Sequence, residues 1–96
     1  MLEFKNQELH VIGKIAFDNA ETYYLNGLKV IQSEKKFPMI VNLSQLDQGS
    51  TLALAVLVQW LRQTPHAQGL EFKAVPEKMM KIIQSCHLEH DLKIIG

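Results

Sequence analysis

One cysteine in 96 residues leaves no partner for an internal disulfide, so the chain must be held together by its core. Charge of one sign is equally scarce. Ten Lys and Arg balance ten Asp and Glu, giving a formal net charge of zero, and no global field draws the chain to nucleic acid or anionic lipid. The opening residues, MLEFKNQELH, lack the charged head and apolar core of a secretion signal, so the cytoplasm is the expected compartment. The longest apolar stretch, Leu52 to Val58 and on through Trp60-Leu61, is about half of the ~20 residues that a membrane span needs. It reads as a core helix, and no direct membrane insertion is expected. There is no glycine-rich phosphate loop, repeat, low-complexity segment or interdomain linker.

A hydrophobic content of 47% suffices for the core of one domain spanning 1–96. That domain is organised around Val41 to Leu61, where a short apolar run ends in a polar turn, Ser44 to Ser50, which feeds a second apolar run free of Gly and Pro. The pattern predicts a buried strand, a loop and a buried helix. Ser50 or Thr51 falls where the helix begins, and either hydroxyl can accept a hydrogen bond from the first turn's unpaired N–H groups.

Before this hinge, Leu2-Glu3-Phe4 and Leu9 to Ile15 predict two antiparallel strands, with Asn6-Gln7 as the turn. From Asp18 or Asn19 the period becomes helical. Tyr23, Tyr24, Leu28 and Ile31 recur on one face, Lys35-Lys36 suits the C-terminal end, and Pro38 stops the helix. Met39 to Leu43 reads as a strand buried on both faces. The helix from Thr51 runs to about Gln63, followed by a connection, 64–69. Leu70 to Val75 alternates as a strand, Pro76 suits a first helical position, and Met79, Met80, Ile82 and Ile83 form a third apolar stripe. Leu88 to Ile95 is short and mixed. The order β-β-α-β-α-β-α implies a mixed sheet packed with helices, an α/β fold.

The hinge resembles that of STAS domains, named for sulfate transporters and anti-sigma factor antagonists. They share this element order and carry a strand ending Asp-Leu-Ser, a spacer, and Asp-Ser-(Ser/Thr/Gly)-Gly-Leu opening the second helix. Here the strand ends Asn42-Leu43-Ser44, Gln45 to Gly49 is the spacer, and Ser50-Thr51-Leu52-Ala53-Leu54 follows. Leu43, Ser44 and Leu54 match, and Thr51 occupies the hydroxyl position phosphorylated in the anti-sigma antagonist branch. Asn42 and Ser50 stand where the family has aspartates, and Ala53 where it has glycine. Within the family the resemblance is to the small stand-alone STAS subunit of the bacterial Mla phospholipid ABC transporter, which keeps a threonine at the Thr51 position. It implies a non-enzymatic cytoplasmic subunit, bound to the transporter's ATPase at the inner membrane and supporting its assembly or activity. The alternative is an anti-sigma factor antagonist regulated by phosphorylation at Thr51.

Ser50, Thr51, Leu52, Val56 and Trp60 are the candidate partner-binding residues. If Leu54, Leu57, Val58 and Leu61 face the sheet, Val56 and Trp60 are left for a partner or for a neighbouring helix to cover, and Trp is enriched in interface hot spots. Cys86, His87 and His90 lie close together in the sequence, but His10 and His66 belong to other elements, so neither a metal nor a cofactor is expected. No catalytic constellation is visible.

Overall fold

The chain opens with a hairpin in which β1 (Leu2–Lys5) and β2 (Glu8–Val11) pair antiparallel, Leu2 opposite Val11 and Lys5 opposite Glu8. The turn residues Asn6 and Gln7 take positive φ, 53° and 65°, as a two-residue turn matched to strand twist requires. Crossovers follow: α1 (Ala20–Ser33) leads to β3 (Met39–Asn42), α2 (Thr51–Arg62) to β4 (Leu70–Lys73), and α3 (Glu77–Ser85) to β5 (Lys93–Ile95). The structure is a computed structural model that describes residues 1–34, 36–47, 49–64 and 69–95.

Strands β2 to β5 are parallel, and the sheet runs in the order β1-β2-β3-β4-β5. A sheet that grows strand by strand in one direction, with crossovers of one hand, carries its helices on a single face. Burial follows that rule. Leu9, Val11, Met39, Val41, Leu70 and Phe72 are buried, whereas Glu8, His10, Ile40, Glu71 and Lys73 at the alternating positions are partly exposed, Asn42 among them being the buried exception. The fold is therefore a STAS-like α/β architecture with one open sheet face. The expectation that the Met39 strand is buried on both faces is corrected, since helices cover only one side of it.

Two further details differ from expectation. The mixed tail ends in a fifth strand, because Lys93 to Ile95 pairs with Glu71 to Lys73 at the sheet edge. Helix α1 ends at Ser33, with no basic residue in its last turn, so Lys36 lies beyond it and Lys35 falls outside the described residues. The loop expected over 64–69 is described only at Thr64 and Gly69. Among the described residues, no helix is long and apolar enough to cross a membrane.

Candidate functional site

The end of β3 is tied to its neighbours by Asn42, a buried polar side chain. Its Oδ1 accepts from the Ser44 backbone N–H at 2.9 Å, turning the chain out of the strand, while its Nδ2 donates to Glu8 Oε1 at 2.9 Å. Lys73 on β4 donates to the other oxygen, Glu8 Oε2, at 3.2 Å. The hydrogen bond from Asn42, then that from Lys73, holds the Glu8 carboxyl below the usual carboxylate range. The departure of Asn42 from the STAS aspartate thus has a local cause. An amide can donate to Glu8, whereas a second carboxylate there would face like charge.

The loop leaving β3 is joined to the loop leaving β2 through backbone alone. Gly13 N–H donates to Gln45 O at 3.1 Å, and Asp47 N–H donates to Gly13 O at 2.8 Å. Gly13 has φ +96°, and a β-carbon there would stand 3.0 Å from the Tyr23 hydroxyl, so glycine is required. That hydroxyl donates to the Ile12 carbonyl at 2.6 Å and, being partly desolvated, has its pKa pushed up.

At the helix start the two hydroxyls divide the work. Ser50 is extended, with φ −142° and ψ 165°, and its Oγ accepts from Ala53 N–H at 3.0 Å. It is the N-cap. Thr51, the first helical residue, is exposed. The exposed stripe of α2 continues from Thr51 at helical spacing through Ala55, Gln59 and Arg62, flanked by half-buried Leu52 and Val58. Two shallow grooves run beside it. One, of about 270 Å³, lies against α1 between Ala20, Glu21, Tyr24, Ala55, Val56 and Gln59. The other, of about 220 Å³, includes Thr51, Leu54, Ala55 and Val58 and reaches Leu88.

Of the five expected partner-binding residues, Ser50, Thr51 and Leu52 gather at this surface. Trp60 does not. It is fully buried, its indole N–H donating to Tyr24 O at 3.0 Å and its ring lying against Gly27 of α1. Val56 is 5% exposed. The first helix covers both, because glycine at position 27 lets the two helices approach closely enough to enclose an indole. Ala55, Gln59 and Arg62 were not singled out from sequence, although counting in turns from Thr51 finds them. Cys86, His87 and His90 are all exposed in or beyond the end of α3, and no metal-sized group of three His, Cys, Asp or Glu forms among the described residues.

No protein-family model matches the chain, and no curated protein matches it. Solved structures do. A chain of the Acinetobacter MlaFEDB complex in its ATP-bound Vtrans1 conformation is 60% identical, with a TM-score of 0.91 over 99% of this chain and 100% of that one. The same complex in the ATP-bound Vtrans2 conformation gives 60% identity and a TM-score of 0.93, covering 99% of each chain. The chain belongs to the MlaB-like STAS domain family. An anti-sigma factor antagonist from Mycobacterium paratuberculosis, 15% identical with a TM-score of 0.80 over all of this chain and 83% of that one, shares the STAS fold. In this STAS domain the hinge presents an exposed hydroxyl at a helix N-terminus, where backbone donors favour polar or negative groups, beside grooves with apolar walls.

Proposed function

We propose that this STAS domain is a non-enzymatic subunit of a phospholipid ABC transporter, binding the transporter's ATPase through the exposed start of α2 and supporting its assembly or activity. The observation that carries the proposal is 60% identity over 99% of this chain with a chain of an ATP-bound MlaFEDB complex. The site is compatible with it, since Ser50 does the capping and Thr51 is left to the outside. On this reading the chain reaches the cytoplasmic face of the inner membrane through the complex. The anti-sigma antagonist reading has only the fold behind it, at 15% identity.

The test is co-purification with the ATP-binding subunit of the Acinetobacter complex, comparing the natural chain with Thr51→Glu. A carboxylate in the first helical turn suits the dipole and adds about 0.3–1 kcal/mol of stability, so the variant should fold. In a close protein contact the same charge is buried and unpaired, and the complex should be lost. Undiminished co-purification of a folded Thr51→Glu chain would remove the start of α2 from the interface.

A further inference from the structure

We infer that Phe17 is the aromatic anchor of the partner interface, working with the α1–α2 groove as knob and hole; this rests on the ATPase-binding reading above. Among the described residues, Phe17 is the large apolar side chain most open to water, 95% exposed, so it contributes almost nothing to the core. A lone exposed phenylalanine is ordinary; this one stands on a hydrogen-bonded turn and in a particular place. Asn19 Oδ1 accepts from Ala16 N–H at 2.7 Å, and Asn19 Nδ2 donates to Lys14 O at 3.0 Å. Backbone bonds from Asn19 and Ala20 to Ala16 O, 3.1 and 2.9 Å, close the turn. Binding would fix the Phe17 side-chain torsions but would not have to order the turn, whose backbone is already pinned.

The place is fixed by the backbone bonds of Gly13 to Gln45 and Asp47, which lock the Phe17 loop to the loop that delivers Thr51. Both loops leave the C-terminal ends of adjacent parallel strands, at the same end of the sheet. The groove of about 270 Å³ is lined by Ala20, three residues after Phe17, and by Ala55 and Gln59, which it shares with the groove that Thr51 lines. Groove and hydroxyl therefore adjoin through Ala55 and Gln59, and Phe17 stands on the loop that leads into the α1 wall of the groove. Exposed charges on these loops and the first turn of α1 are Lys14 against Asp18, Glu21 and Asp47, a balance that disfavours an anionic membrane surface. It fits a protein surface with an apolar side chain for the groove, a pocket for Phe17, basic residues facing Asp18, Glu21 and Asp47, and a polar or acidic group facing Thr51. The occupant is the ATPase subunit.

The experiment measures affinity for the ATP-binding subunit of the Acinetobacter complex by titration, using the natural chain, Phe17→Ser, Ala55→Lys and Thr51→Glu, with a melting curve for each. Phe17→Ser should melt as the natural chain does and bind at least about thirty-fold more weakly, the loss seen when a hot-spot residue is truncated. Ala55→Lys, which fills the groove from an exposed helical position, should weaken binding as well. Natural-strength binding by Phe17→Ser and Ala55→Lys, with binding lost in Thr51→Glu, would overturn the inference and leave the ATPase reading standing. Failure of the natural chain to bind would remove both. If Phe17→Ser instead abolishes self-association of the free chain without affecting the titration, the occupant is a second copy and the inference is overturned.

Discussion

Gly27→Ala should destabilise the fold, although on an exposed helical surface the same change is stabilising. A β-carbon at Gly27 would lie 2.2 Å from Cζ2, 2.3 Å from Cε2 and 2.6 Å from Nε1 of Trp60. Carbon atoms settle about 3.5–4.0 Å apart, so the indole and α1 would have to separate by roughly an ångström or more. Overpacking of this kind costs about 1–3 kcal/mol. The same displacement strains the indole bond to Tyr24 O, and losing it would cost about 0.5–1.5 kcal/mol more. Alanine's helix propensity offsets about 1 kcal/mol. The balance is a net loss of about 2 kcal/mol, or roughly 8–16 °C in melting temperature at this chain length.

Trp60 is the sole tryptophan, so its fluorescence serves as the assay. Urea unfolding gives the stability, and the native emission wavelength tells whether the indole has been pushed toward water. A double-mutant cycle with Trp60→Phe, followed by circular dichroism, isolates the contact. The two changes should couple by about 0.5–3 kcal/mol, because the smaller ring makes room for the methyl group. A Gly27→Ala chain about 1 kcal/mol more stable than the natural one, with unshifted emission, would refute the interlock of α1 and α2.

Ser50→Ala should cost about 1 kcal/mol in urea unfolding, whereas Thr51→Ala should change stability by less than about 0.5 kcal/mol; equal losses would place Thr51 in the cap. Glu8 has its pKa lowered in the folded protein, so its contribution is complete above the ordinary carboxylate value of 4.5 and is lost as pH falls through the lowered one. Asn42→Asp should reverse that slope, less stable than the natural chain at neutral pH and recovering on acidification as the facing carboxylates take up a proton. Thermal melts between about pH 7 and pH 3 decide this, and parallel slopes for the two chains would refute the pairing of Asn42 with Glu8.

The parts of the fold legible in the sequence are those with local causes. The Asn6-Gln7 turn, the change from alternation to helical period after Asp18, and the polar break from Ser44 to Ser50 each act within a few residues, and each lies where expected. The fifth strand was not legible because Lys93 to Ile95, although it holds two β-branched residues, is too short to show an alternating pattern and is defined by its pairing with β4. The open face of β3 was hidden for a similar reason. A run such as Met39 to Leu43 states that the strand is apolar, but the side on which helices lie follows from strand order, which no single segment contains.

Within the candidate site the same division separates Thr51 from Trp60. The start of α2 is marked by its own residues, and the cap assigns Ser50 inward and Thr51 outward once the backbone is fixed. The outward face further along the helix has no such local mark. Leu52 to Leu61 is apolar almost all round, so its periodicity carries little phase, and a large aromatic suits the core or an interface equally. What sets the phase is a missing side chain on another helix. Gly27 leaves the space that Trp60 fills, and turning Trp60 inward brings Ala55, Gln59 and Arg62 to the surface on the same face as Thr51. An aromatic anchor for the proposed interface would then have to come from elsewhere, and Phe17, 95% exposed in the loop before α1, is the side chain we assign to it.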